Sequence, residues 1–187
     1  MPPSLEQLLS IVRNYWPSNE DHYLRGEASP ENERLDALWN QELKKMDRWW
    51  ALLHDLEGAL PEFTIGDATA TINASFRCVA YSGKKAPHRF AVVGCASILA
   101  PVFAVYGLEF SETEETRTVS RTCFDPLPAH MQGPAGLIAR KIEANFGFDE
   151  LPRELADTPV PLFVEWKKPP DTTLFHALFA SVPESVP

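Results

Sequence analysis

Cysteine is scarce in this chain. There are three among 187 residues, Cys78, Cys95 and Cys123, widely spaced and with no C-x-x-C pair. An odd, scattered set excludes the disulfide framework of a small secreted domain and the paired thiols of a zinc knuckle. Each lies in an apolar or alternating stretch and reads as a small buried thiol. Histidine patterns for metal are missing too: His22, His54, His88, His130 and His176 show no H-x-H, H-x-x-x-H or H-E-x-x-H spacing, and zinc ligands usually include a local pair. No G-x-S-x-G elbow, P-loop or G-x-G-x-x-G occurs, so no catalytic residue, metal site or cofactor is expected. Basic residues are few, 17 Lys and Arg against 26 Asp and Glu, a net charge of −9. That excess disfavours nucleic acid as a ligand. Met1-Pro2-Pro3-Ser4 carries no basic segment, so no signal peptide is expected and the cytoplasm is the expected location. The one long apolar run, residues 90–108, is interrupted by Gly94, Ser97, Pro101 and Gly107. It reads as two buried strands joined near Ala100-Pro101 rather than as a membrane span.

What is present is a change of hydrophobic period. Ser4 and Gln7 form a capping-box pattern ahead of Leu5, Leu8, Leu9, Ile11, Val12, Tyr15 and Trp16 at helical spacing, stopped by Pro17. Ser29-Pro30 then opens one long helix whose stripe runs through Leu35, Leu38, Trp39, Leu43, Met46, Trp49, Trp50, Leu53 and Leu56, with Gly58 to end it. From Ala70 to Ala80, small and apolar residues alternate with polar ones, the pattern of a half-buried strand. Arg117–Phe124 reads as another strand and Leu162–Trp166 as a short one. Pro134 is placed to start a helix ending at Gly147, and Asp171 to cap a last helix before a frayed tail, 182–187. The expectation is α+β: an antiparallel sheet of about four to six strands packed with a long N-terminal helix and a C-terminal helix. One domain spans 1–187, helical over 1–58 and sheet with helices over 59–187.

Three features invite a functional reading. Glu109, Glu112, Glu114 and Glu115 put four carboxylates in seven residues directly after a buried strand. Such a rim either keeps a sheet edge from pairing or steers a basic partner. Glu20, Asp21, Glu27, Glu31 and Glu33 form a second acidic cluster, part of it explained by the preference for acids in a helix's first turn. Successive helical residues point in different directions, so one of Trp49 and Trp50 belongs in the core and the other, Trp50 in our reading, at a rim where it can anchor a partner. Glu165 is the most arguable single carboxylate, either a raised-pKa acid or an edge charge paired with lysine.

The closing stretch Leu162-Phe163-Val164-Glu165-Trp166, followed by Thr173-Leu174-Phe175-His176-Ala177-Leu178-Phe179, resembles the C-terminal part of some bacterial polymorphic-toxin immunity proteins. The resemblance implies a cytoplasmic inhibitor that plugs a cognate toxin, often a basic nuclease, with an acidic surface covering its phosphate-binding cleft. The residues themselves point to a binding protein with a basic protein partner at Glu109, Glu112, Glu114, Glu115 and Trp50. The alternative is a small enzyme or small-molecule binder with a pocket between the sheet and the long helix. A structural subunit is a third reading, resting on the rim tryptophan alone.

Overall fold

A computed structural model describes residues 1–21, 28–111 and 116–187 in full, and Glu112 by its backbone. The N-terminal region begins with helix α1, Leu5–Arg13. Ser4 caps it: its hydroxyl accepts from the Gln7 amide, and the Gln7 side chain accepts from the Ser4 amide. Helix α2, Pro30–Glu42, starts as expected, with Ser29 accepting from the Asn32 amide and proline in the first turn.

The long helix expected over 30–58 is two helices. A 3-10 turn at Leu43–Lys45 separates α2 from α3, Asp47–Ala59. The aromatic packing supplies the reason. Trp39 meets the Phe76 ring edge-on at 5.1 Å, and Trp49 stacks on the same ring at 5.2 Å. In a continuous helix these tryptophans would lie about 15 Å apart along the axis and roughly 80° apart around it. The bend lets both converge on one phenyl ring. The Trp39 indole N–H also donates to the Asn73 carbonyl at 2.8 Å, which anchors α2 to the loop before the sheet.

Strands β1 (Thr64–Asp67), β2 (Ser75–Tyr81), β3 (Phe90–Ser97), β4 (Val102–Glu112) and β5 (Arg117–Cys123) form an antiparallel meander in sequence order. The residue pair β6, Asp149–Glu150, lies parallel to the start of β4. The apolar run resolves into β3 and β4 joined at Ile98–Pro101, as its interruptions predict. The strand expected from Ala70 starts only at Ser75. Before it, Asp67 accepts from the Thr69 amide, Ala70 from the Asn73 amide, and the Thr69 hydroxyl takes the Arg77 amide. These local bonds hold residues 67–74 as a loop.

Helix α4, Ala129–Phe146, crosses one face of the sheet beside α3. It begins five residues before Pro134, which therefore sits inside it, and it ends at Gly147 in the left-handed conformation (φ 68°). Short helices α5 (Arg153–Ala156) and α6 (Leu174–Leu178) follow. The cap of α6 is Thr173, paired with His176, rather than Asp171. Residues 162–166 form no strand. Val164 and Lys167 make an isolated bridge, and Glu165-Trp166 is its exposed two-residue turn. Glu165 is thus a solvated turn carboxylate without apolar cover. Among the described residues no helix is long and apolar enough to cross a membrane.

Candidate functional sites

Both faces of the central strands are covered, and they are built differently. On one face, cross-strand partners Cys78 and Gly94 lie under Ile138 and Ile142 of α4. A β-carbon on Gly94 would stand 2.6 Å from Ile138, and one on Gly107 2.1 Å from the Met131 sulfur. At Gly94 and Gly107 the small-residue face therefore admits helix α4 at close range, with no space left between them.

The other face carries polar groups. Arg77, expected to point outward, is only 2% exposed. Its Nη2 donates to the Tyr106 hydroxyl at 3.0 Å and to the carbonyls of Pro183 and Ser185 at 3.3 and 2.9 Å. Tyr106 donates in turn to the Pro183 carbonyl at 2.6 Å. Ser75 donates to the Phe179 carbonyl, and Asn73 Oδ1 accepts from both the amide and the hydroxyl of Ser181. Tyr81 and Arg117 both donate to the Pro187 carbonyl. The tail expected to fray is stitched to the sheet by these bonds.

All three cysteines are free and buried. Burial pushes the Cys78 thiol up to about 12 and the Cys95 thiol up to about 11, so both stay protonated near neutral pH and are poor nucleophiles. His176 goes the other way: burial, and then the nearby Lys167 charge, lower it to about 4. Its Nδ1 accepts from the Thr173 amide at 3.0 Å, a helix-capping role that uses the neutral ring. Among the described residues no group of three or more His, Cys, Asp or Glu could hold a metal ion.

Of the acidic rim, Glu114 and Glu115 lie outside the described residues, and Glu112 is described only as the cross-strand partner of Arg117. Glu109 is half-buried rather than free. It faces Arg121 on β5, with oxygens 3.9 Å from Arg121 Nη1 and from His130 Nε2. His130 stacks on His88, ring centres 4.6 Å apart. Arg117 lies over the rings of Tyr81 and Phe110, 4.8 Å from each. Strand β5 thus places Arg121 beside Glu109, a pairing that no run of neighbours in the sequence displays. Of the second cluster, Glu20, Asp21 and Glu33 are exposed and Glu31 is half-buried, while Glu27 lies outside the described residues.

The tryptophans divide as helical geometry requires. Trp49 is 1% exposed and Trp50 is 58% exposed. On α3 Trp50 lies at spacings of three, four and seven from Asp47, His54 and Glu57, all exposed. Leu43, another of the few exposed large apolar side chains, lies in the 3-10 turn beside the exposed Lys44 and Lys45. Within the Trp50 row of α3 the nearest approach to an ion pair is His54 with Glu57, at 3.7 Å.

Two cavities lie beside these surfaces. One, of about 850 Å³, opens at the α2–α3 bend between the 3-10 turn, the β3–β4 turn and the end of α4. Trp49, Phe76, Phe146 and Phe148 supply its apolar wall, and Lys44, Lys45 and Arg48 with Glu42 and Asp47 its charged rim. The buried indole N–H of Trp49 has no hydrogen-bond partner among the described residues. The second, of about 560 Å³, lies on the Arg77 face between residues 67–73 and the tail. No family model matches the chain, and neither a curated protein nor a solved structure proved similar to it.

Proposed function

We propose that the protein is a non-catalytic binding module that captures a basic protein, in the manner of an immunity protein neutralising its toxin. The observation that carries this reading is Trp50, 58% exposed on α3 at helical spacing from the exposed carboxylates Asp47 and Glu57, with exposed Asp36 on the preceding helix α2. A tryptophan left outside a well-filled core supplies a large, rigid contact area, the type of residue that dominates interface energetics. Carboxylates around it steer a cationic surface and set its orientation. The net charge of −9 extends the same bias over the whole molecule. In this arrangement Glu109, tied to Arg121 and His130, belongs to the sheet's own charge balance.

The test is a growth-rescue experiment. The reading frame adjacent to this gene is expressed in a heterologous host, with and without this protein. Rescue by the wild type, and its loss with Trp50→Ala or with Asp36, Asp47 and Glu57 changed to lysine, is the expected result. Trp50→Ala should weaken the purified complex by about 2 kcal/mol and alter folding stability by less than about 0.5 kcal/mol. An adjacent product that is harmless, or rescue indifferent to these substitutions, overturns the proposal.

A second reading is favoured by the cavity at the α2–α3 bend, which lies between sheet and helices and offers aromatic walls with Lys44 and Arg48 at a rim of mixed charge. It makes the protein a small-molecule binder. A thermal-shift screen of aromatic acids, repeated on Arg48→Ala, checks it; stabilisation by none of them removes it.

A further inference from the structure

The cavity on the Arg77 face has a different character from either surface above. Arg77 is held inside the protein with its charge uncompensated. Among the described residues no carboxylate forms an ion pair with it, and its three hydrogen-bond acceptors are a phenol and two backbone carbonyls, all neutral. Tyr106 is no hidden counter-ion, since burial raises its pKa, and the neighbouring Cys95 thiol is pushed up to about 11. The guanidinium cannot shed its proton, so burying it unpaired is a standing cost. All three described bonds leave from Nη2, whereas Nε is buried near the Cys95 thiol and, among the described residues, has no hydrogen-bond partner.

Arg77 also forms part of the wall of the 560 Å³ cavity. At the same cavity stand Ile72, 49% exposed, and Trp166, 66% exposed, the most exposed of the five tryptophans. An isolated apolar side chain at a surface needs no explanation. Two large ones converging on a cavity that holds a desolvated cation do, because together they complement an amphiphilic anion. Of the three residues that accept from Arg77, Ser185 is the exposed one, and it too lines the cavity. Asp67 lines the cavity as well and limits the charge it tolerates.

We propose that this cavity is a binding site for a small organic monocarboxylate with an apolar body: the carboxylate hydrogen-bonds Arg77, and the body rests against Ile72 and Trp166. The desolvation of the guanidinium is already met by the fold, so an entering carboxylate gains a charge-assisted bond without stripping water from its partner. The planar fork of arginine suits a carboxylate. A phosphate dianion is disfavoured by Asp67.

Phenylacetate, with phenylacetamide as its uncharged counterpart and inorganic phosphate as the dianion, tests the site by calorimetry and by the Arg77 Nε–H signal in nitrogen-15 NMR. Phenylacetate is expected to bind at millimolar concentration or tighter and to move that signal, and the amide to bind at least about tenfold more weakly. Replacing Arg77 would disturb the tail, so the decisive variants lie at the exposed mouth. Ile72→Glu should cut phenylacetate affinity by about tenfold while Ile72→Lys does not, and Trp166→Ala should weaken it with the fold intact. Failure of phenylacetate to bind, equal binding of the amide, tighter binding of phosphate, or indifference to Ile72→Glu each overturns the proposal.

Discussion

The two faces of the sheet solve the same problem by opposite means. The α4 face is dry: Gly94 and Gly107 let α4 descend until Ile138, Ile142 and Met131 fill the space where side chains would be. The tail face is stitched by hydrogen bonds that join Ser75, Arg77 and Tyr106 to carbonyls of residues 179–185. Shape complementarity fixes one side and directional polar bonds the other. Close packing penalises any change of volume, whereas a polar seam penalises loss of a partner and leaves volume less critical. The dry face serves as scaffold. Each face keeps a cavity with an unpartnered donor among the described residues, the Trp49 indole N–H at the bend and the Arg77 Nε–H under the tail, but only the second donor carries a charge.

The contrast can be broken from either side. The largest effect is expected from Trp49→Ala, which removes the ring stacked on Phe76 and the bend's central contact; chemical denaturation should show a loss of about 3–5 kcal/mol. Next comes Gly94→Ala, whose new methyl meets Ile138 at 2.6 Å and Cys78 at 3.0 Å; overpacking should cost about 1–3 kcal/mol and fall on global unfolding. A similar loss for Gly58→Ala, where nothing lies within 4 Å, would remove the packing explanation. On the opposite face, Tyr106→Phe keeps the volume and deletes one hydroxyl, for a loss of about 1–2 kcal/mol. Hydrogen exchange should quicken at residues 181–185 while the α4 face remains protected. Uniform loosening would show that the two faces are not held independently.

The last effect is a pH dependence. His176, which also senses Lys167, Arg153, Glu184 and Asp157, has its pKa lowered from 6.5 to about 4 by burial and by Lys167. Between those values the unfolded chain binds a proton that the folded one refuses, so stability falls as pH drops from 6.5 toward 4 and is unaffected above that window. His176→Asn should flatten this segment of the stability–pH curve. An unchanged slope would assign the acid sensitivity to other groups.

Local signals were legible in the sequence wherever a few neighbouring residues settle the structure. The Ser4–Gln7 box, the Ser29-Pro30 start, the β3–β4 break and the Gly147 stop are of this kind. The helix break at Leu43–Lys45 was not, because its cause is Phe76, a residue in another element. Pro134 misled in the same way. It forgoes one intrahelical bond, yet the helix begins earlier, so that Met131 can fill the space above Gly107. Four-residue β1 exists through its pairing with β2 and carries no pattern of its own. The sites divide along the same line. Exposure of one member of Trp49-Trp50 follows from helical periodicity, whereas alternation alone placed Arg77 outside. Only residues 179–187, laid across the second face, bury it.

Side-chain bonds from Ser75 and Arg77 reach partners 104 to 108 positions further along the chain. During synthesis, α4 can settle on the sheet once residue 146 has left the ribosome, whereas the seam must wait for residue 185. For that interval Arg77 lacks the Pro183 and Ser185 carbonyls that later hold it, so the polar face is the last part of the sheet to close.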